Sequence, residues 1–251
     1  MHEKNKSVEV VGVRVDNFTM DQLVDQLLDW TTLPGLHIAV GVNAHVCNLA
    51  AKDQAFRDLV QASDLNYADG QSVVWAGRLL GGDVGERIAT TDLVFPLVQQ
   101  CAAHSKRIFL FGGKPGVAEL AAARLQKFAP GLQCSTSDGY VSKENMPALI
   151  DKINNFGTDV LLVGLGDPLQ QEWVANSRGQ LLVPVALTCG GLFDWTSGHN
   201  KRAPRWMIAA GLEWLWRLAL EPRRLAKRYV VGNPAFVFRL VKQILSKKFQ
   251  D

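Results

Sequence analysis

The stretch Arg107–Ala129, "RIFLFGGKPGVAELAAARLQKFA", decides the fold. Its first part, "RIFLFGG", is a continuous apolar run that stops at two glycines, as a strand buried on both faces does. Its second part, "GVAELAAARLQKFA", carries apolar residues at helical spacing. Together they make one strand–turn–helix unit. Downstream the unit recurs as "LQCST" with "ENMPALIDKINNF", then "DVLLVGLG" with "LQQEWVANSR", then the strand "VPVALTCGG". Upstream, "VEVVGVRVD" reads as an opening strand. "MDQLVDQLLDW" reads as a helix that Asp16, Asn17 or Thr19 can cap. "HIAVGVN" is a buried strand running into one helix, "AHVCNLAAKDQAFRDLVQA". "LNYA" is a short strand ending at Asp69-Gly70, and "QSVVWAGRLLG" is a helix closed by Gly81-Gly82. "TDLVFPLVQQCAAH" reads as a helix with Thr90 or Thr91 as cap and Pro96 as a local disturbance. The alternation predicts an α/β protein with a largely parallel sheet covered by helices on both faces. Such sheets bind ligands at the carboxyl ends of their strands. Asn43, Asp69, Gly112-Gly113, Gly164–Pro168 and Gly190-Gly191 all fall at such ends.

The 251 residues suffice for one large α/β domain, or for a domain plus an appendage. The start, "MHEKNKSVEVVGV", has no secretory pattern, and no uninterrupted apolar run of about 18 residues predicts a spanning helix. Cys47, Cys101, Cys134 and Cys189 form no C-x-x-C pair, which argues against a zinc site or disulfide framework and fits a reducing cytoplasm. The net charge of +3 hides an asymmetry. Residues 201–251 carry twelve Lys/Arg against three Asp/Glu, a balance of +9, and residues 1–200 balance at −6. The texture changes after Gly198, where the chain turns helical, basic and Trp-rich, with Pro222 and Asn233-Pro234 at helix starts. The expected division is an α/β catalytic domain over 1–200 and a helical appendage over 201–251. Trp206, Trp214 and Trp216 among Arg217, Arg223, Arg224, Lys227 and Arg228 suit a membrane interface or lipid phosphate. The plainer reading packs the tryptophans into the main core. Nucleic acid is not expected as a partner, because the aromatics form no recognition module.

Single motifs have two readings each. "FLFGGKPG" can cradle a phosphate on backbone N–H groups, or can be a tight turn. The amides of "GLGDPLQQEW" can hold a sugar or base, yet a cap at Asp167 with a solvated face explains that stretch more simply. "CGGLFDWTSGHNKRAP" is a functional loop or a linker. His45, His104 and His199 have no metal-ligand spacing and read as structural or surface residues. Asp69, taken alone, reads as a cap for "QSVVWAGRLL".

Read in order, "NAHVCNLA", "ADGQSVVWAGRLLGG", "ERIATTDL", "FLFGGKPG", "SDGYV", "LLVGLGDPLQQEWV", "CGGLFDWTSGHNKRAP" and "GLEWLWRLALEPRRLAKRY" resemble the WecG/TagA/CpsF glycosyltransferases, glycosyltransferase family 26. The resemblance runs from about Val8 to Tyr229. It implies a Rossmann-like fold and an inverting transferase moving a sugar from a UDP-sugar to a polyprenyl-diphosphate-linked acceptor. It also implies peripheral work at the cytoplasmic face of a bacterial plasma membrane, in cell-surface polysaccharide synthesis, with a C-terminal appendage that binds the membrane. By position, Asp69 matches the proposed general base, Asn43 the polar residue after the second strand, Arg87 an arginine suited to phosphate, and Gln170 the glutamine of the Pro-Lys-Gln-Glu pattern. Arg217, Arg224 and Arg228 match appendage arginines expected near diphosphates and membrane. Gly112, Gly113, Lys114, Tyr140, Gly164, Gly166 and Gln170 are the expected UDP-sugar contacts. Three departures stand near the expected sugar: Gly41-Val42-Asn43 replaces Thr-Pro-Asn, Leu169 and Gln171 replace Lys and Glu, and Ala89-Thr90 follows where glycine is common. They open the donor to UDP-glucose as well as UDP-N-acetylmannosamine.

No Asp-x-Asp stands near these loops, so neither a metal clamp nor a cofactor beyond the UDP-sugar is expected. The oligomeric state stays open, a homo-oligomer included. Two other classes compete: a membrane-recruited nucleotide-binding regulator without transferase activity, and a nicotinamide oxidoreductase using "GGKPG", which lacks the usual fingerprint.

Overall fold

The computed structural model describes residues 6–199, 202–209 and 211–248. The chain opens with β1 (Ser7–Val10) and β2 (Val13–Asp16), then α1 (Met20–Trp30), β3 (His37–Val42), α2 (Ala44–Ala50) and α3 (Gln54–Gln61). Next come β4 (Leu65–Ala68), α4 (Gln71–Leu79), α5 (Thr90–Ala103), β5 (Arg107–Gly112), α6 (Val117–Phe128), β6 (Gln133–Ser137) and α7 (Met146–Asn155). β7 (Val160–Gly164), α8 (Leu169–Ser177), β8 (Val185–Thr188) and α9 (Leu192–Thr196) complete the α/β body. The tail holds α10 (Arg205–Ala209), α11 (Glu213–Leu220), α12 (Pro222–Ala226), a π-helical turn (Lys227–Val231) and α13 (Gly232–Lys248).

Six strands form one sheet in the order β4-β3-β8-β7-β5-β6, every pair parallel. The Rossmann-like α/β architecture expected above is therefore present. Strand side chains alternate between two faces with period 2. Ile108 and Leu110 pack with α1, α5, α6 and α9, while Phe109 and Phe111 pack with α7 and α8. β5 leads outward to β6, and β7 leads back toward β8. The connections leaving these neighbours thus run in opposite directions, the kind of switch point at which such sheets bind nucleotides in a crevice. Glycines let its walls close in. A Cβ on Gly112, whose φ is +140°, would stand 2.3 Å from the Gly164 carbonyl oxygen.

Four sequence expectations change. "VEVVGVRVD" is a separate antiparallel hairpin, β1 with β2, and not one strand. Val11 and Gly12 take φ of 51° and 77°, the two positive values that a tight hairpin turn demands. The helix expected over "AHVCNLAAKDQAFRDLVQA" breaks into α2 and α3, because the Asp53 carboxylate accepts the Phe56 N–H at 3.2 Å and starts a new helix. "CGGLFDWTSGHNKRAP" contains the short helix α9. Neither Thr90 nor Thr91 caps α5; Ala89 is its N-cap and brings no side-chain bond. Of the three candidate caps for α1, Thr19 serves, in a reciprocal pair with Gln22.

The tail packs on the body. Phe236 and Leu240 of α13 join a core with Val10, Val46, Phe56 and Val73. Asn48 of α2 receives Arg239 and donates to the Gly232 carbonyl at 2.5 and 2.7 Å. The opposite face of α13 exposes Val237, Phe238, Val241 and Leu245. Among the described residues, no helix is long and apolar enough to cross a membrane.

Candidate active site

Asp69 follows β4 directly, and Asn43 follows β3 beside it. Asn43 caps α2, its Oδ1 accepting the His45 and Val46 N–H groups at 3.0 and 3.3 Å. That fixes the amide and aims Nδ2 at Asp69 Oδ2, 3.2 Å away. The other carboxylate oxygen, Oδ1, accepts the Thr90 N–H at 2.9 Å and its hydroxyl at 3.2 Å. Asp69 is thus a cap, but for α5, which starts at Thr90, and not for its own helix α4; α4 begins at Gly70 without a side-chain cap. Oδ1 is occupied by two donors, and Oδ2 keeps lone-pair capacity toward the sheet edge.

Behind this pair stands Tyr67, fully buried, its hydroxyl 2.7 Å from Thr90 Oγ1. Burial, then the nearby Asp69 and Asp167 charges, push that hydroxyl well above the ordinary tyrosine value, so it keeps its proton. Since Thr90 spends its own proton on Asp69, Tyr67 donates to Thr90. Tyr67 also explains one departure. A Cβ on Gly41 would lie 2.9 Å from the Tyr67 hydroxyl oxygen and 3.1 Å from Asp69 Cβ. The space of a threonine at that position is therefore already taken.

Gln170 is buried and makes no opening toward the cleft with its amide. Its Nε2 donates to Asp167 Oδ1 at 2.8 Å, and its Oε1 accepts the Gly190 N–H at 2.9 Å. It ties the β7–α8 turn to the end of β8. Asp167 is not the N-cap of α8; Pro168 is, and the Asp167 side chain meets the two glutamine amides instead. Gly112, Gly113, Gly164 and Gly166 line the β5–β7 crevice, where Gly113 donates its N–H to the Gly164 carbonyl at 3.3 Å. Lys114 is exposed, and Tyr140, at 71% exposure, stands out from the "SDGY" turn.

The tail brings arginines to the same edge. Arg228 donates to Asn43 Oδ1 at 3.4 Å. Arg87 and Arg217 close on one carboxylate, Glu213, at 2.6 and 2.9 Å, and Arg202 stands 4.0 Å from it while pairing with Asp92. Glu213 is 5% exposed. Burial disfavours its charge, but Arg217 and Arg87 outweigh burial and hold its carboxyl below the ordinary 4.5. Arg217 also lies 4.8 Å over the Trp195 ring. The side chain of Arg224 lies outside the described residues. His45, read above as structural or surface, sits beside this edge; burial, then Arg228, push its imidazole down to about 4 against the pull of Asp167. It is neutral at pH 7.

Asp69, Asn43 and Arg228 thus come together directly. Gln170 and the crevice glycines share the same sheet edge, and Arg87 with Arg217 is held through Glu213. Sequence reasoning passed over Tyr67, Asp167 as a bonded carboxylate, and Glu213, and it took Thr90 for a helix cap and not for a partner of Asp69. Only Glu213 had a visible mark, as one of three acids in a strongly basic tail.

The family model described as "Glycosyl transferase WecG/TagA/CpsF family" matches residues 8–250. A protein of Bacillus subtilis (strain 168) is 33% identical over 208 residues, covering 82% of this chain and 80% of the relative. One of Staphylococcus aureus (strain NCTC 8325 / PS 47) is 27% identical over 237 residues, covering 94% and 92%. Both are named N-acetylglucosaminyldiphosphoundecaprenol N-acetyl-beta-D-mannosaminyltransferase.

Proposed function

The chain belongs to the WecG/TagA/CpsF glycosyltransferase family, and on that premise we propose that it moves a hexose or N-acetylhexosamine, from UDP-glucose or UDP-N-acetylmannosamine, onto a polyprenyl-diphosphate-linked glycan with inversion. The carrying observation is Asp69, a carboxylate held from both sides at the carboxyl edge of the sheet with Oδ2 still able to accept a proton. In this reading Asp69 Oδ2 takes the acceptor hydroxyl's proton as that oxygen bonds to the anomeric carbon. The bond from that carbon to the UDP oxygen breaks, and the β-phosphate leaves with the electron pair. Backbone N–H groups of the β5–β7 crevice and the start of α6 suit the diphosphate. Arg87, Arg217 and Arg228, at the base end of the edge, suit the acceptor's diphosphate. The names of the relatives, which act on an undecaprenol-linked diphosphate, support a lipid-linked acceptor. A screen of UDP-sugars against synthetic prenyl-diphosphate glycans tests the whole reading. Transfer of one sugar is expected. UDP binding with no transfer to any acceptor would favour the regulator instead.

A membrane surface is the proposed workplace. Supporting it are the exposed apolar residues Pro234, Phe238, Val241 and Leu245 at helical spacing on α13, with Lys242 beside them. Because Phe236 and Leu240 are core residues, removing the tail would unroof the body, so substitution of the outer face is the cleaner test. Phe238→Glu with Val241→Glu is expected to abolish co-sedimentation with anionic vesicles while the melting temperature holds. Sedimentation at the wild-type level would refute membrane docking by this face.

A further inference from the structure

The turn between β7 and α8 carries a carboxylate that the mechanism leaves without a task. Asp167 Oδ1 accepts two side-chain amides, Gln170 Nε2 at 2.8 Å and Gln171 Nε2 at 2.7 Å. Gln170 is anchored in turn by the Gly190 N–H, which braces the carboxylate against the end of β8. Asp167 Oδ2 accepts nothing among the described residues. Gln171 is 5% exposed, and its buried Oε1 also has no partner. Flipping that amide is no remedy, since its oxygen would then face the carboxylate. Gln171 Oε1 is thus a buried acceptor without a donor, and Asp167 Oδ2, on a half-buried residue, is a second acceptor that no described residue fills. A buried acceptor left unmet costs free energy, which a ligand donor can recover.

The topology says which part of the ligand arrives there. Along the carboxyl edge the order is Asp69 after β4, Asn43 after β3, Gly190 after β8, Asp167 after β7 and Gly112 closing β5. The nucleotide crevice lies between β7 and β5, at one end of this row, and the base lies at the other. β7 and β4 are three strand spacings apart, about 14 Å. The transferred sugar is bonded to the diphosphate on one side and attacked from the base side on the other. It must lie between them, over the stretch that Asp167 borders. His45 and Tyr67, both next to the Asn43–Asp69 pair, feel the Asp167 charge, so the carboxylate lies within electrostatic reach of that pair.

Chemistry narrows the occupant. Phosphate oxygens bring no donor and repel a carboxylate. Sugar hydroxyls and an acetamido N–H bring donors without charge, and a uronic acid brings a repelling charge. We propose that Asp167, braced by Gln170 and Gln171, binds hydroxyl groups of the transferred sugar and selects an uncharged hexose or N-acetylhexosamine against a uronic acid. The proposal rests on the UDP-sugar reading above. It also gives the departure at Gln171 a role: an amide there supports Asp167, where a glutamate would repel it.

The test compares binding of UDP, UDP-glucose, UDP-N-acetylmannosamine and UDP-glucuronate to the full-length chain and to Asp167→Asn. Asparagine keeps an oxygen for the two amides and turns the free oxygen into a donor. Affinity for the preferred uncharged UDP-sugar should fall by about 10–100-fold, the size of a lost charged hydrogen bond. UDP affinity should stay at the wild-type value, which also certifies folding. The preference over UDP-glucuronate should collapse. Asp167→Glu, which retains the charge, should keep that preference. A parallel loss of UDP affinity would assign Asp167 to the ribose or the scaffold and overturn the proposal, as would unchanged UDP-sugar affinity. A wild-type chain that binds no UDP at all would overturn the donor reading first, and this one with it.

Discussion

Asp69→Asn should reduce turnover on the order of 10²–10⁴-fold while UDP-sugar affinity stays nearly unchanged. The structure shows which contacts this substitution keeps and which it loses. Asparagine can keep its Oδ1 on the Thr90 N–H and hydroxyl, so the start of α5 is not uncapped. The change falls on the other atom, where an NH₂ replaces Oδ2 and faces the Asn43 amide, itself held by α2. The proposed base is lost and the cap of α5 is spared, at the cost of the Asn43–Asp69 bond, because two NH₂ donors then face each other. Single-turnover transfer, measured beside equilibrium binding of the donor, separates the two. Turnover near wild type would remove Asp69 from the catalytic role and leave it as the cap of α5.

Glu213→Gln should loosen the hold of the body on α11. The carboxylate is buried and neutralises Arg87 and Arg217 at 2.6 and 2.9 Å, with Arg202 close by. Removing one partner of a buried ion pair leaves its cations uncompensated, at a cost of about 3–5 kcal/mol. Limited proteolysis should cut first between α9 and α11, and the melting temperature should drop. Acid should do the same to the wild type. The folded carboxyl lies below its ordinary 4.5, so the clamp is whole above that pH and is lost as pH falls through the lower folded value. Tail protection that persists in Glu213→Gln, or that is indifferent to pH below 4.5, would show that α11 is held by its apolar contacts alone. Arg87 gains a second meaning from this contact. The residue matched to a phosphate-binding arginine is also one of the body's holds on the tail, so a diphosphate arriving there would compete with Glu213.

The parallel sheet was legible because periodicity and glycine placement are local. "RIFLFGG" must be a strand buried on both faces, wherever it pairs. The hairpin was misread for the same reason: Val11 is a poor turn residue, and only the pairing of Val8 with Val15 and Val10 with Val13 makes its positive φ worthwhile. The split between α2 and α3 was written in Asp53, but an aspartate inside a helical pattern is common and its side-chain bond to Phe56 is not visible in composition.

For the site, the sequence by itself determined which residue types stand at strand ends, the basic tail and the family likeness, since each follows from local spacing or from ordered motifs. Tertiary structure alone decided their partners. Asp69 caps a helix that begins 21 positions later, Arg87 meets Glu213 across 126, and Arg228 meets Asn43 across 185. Which carboxylate oxygen stays open, and that Gly41 is small because Tyr67 fills its space, follow from the same meetings. The reason is geometric. In a parallel sheet consecutive strand ends reach one edge only after a crossover, so the order in which they face one another belongs to the fold and is not spelled in the order of the chain.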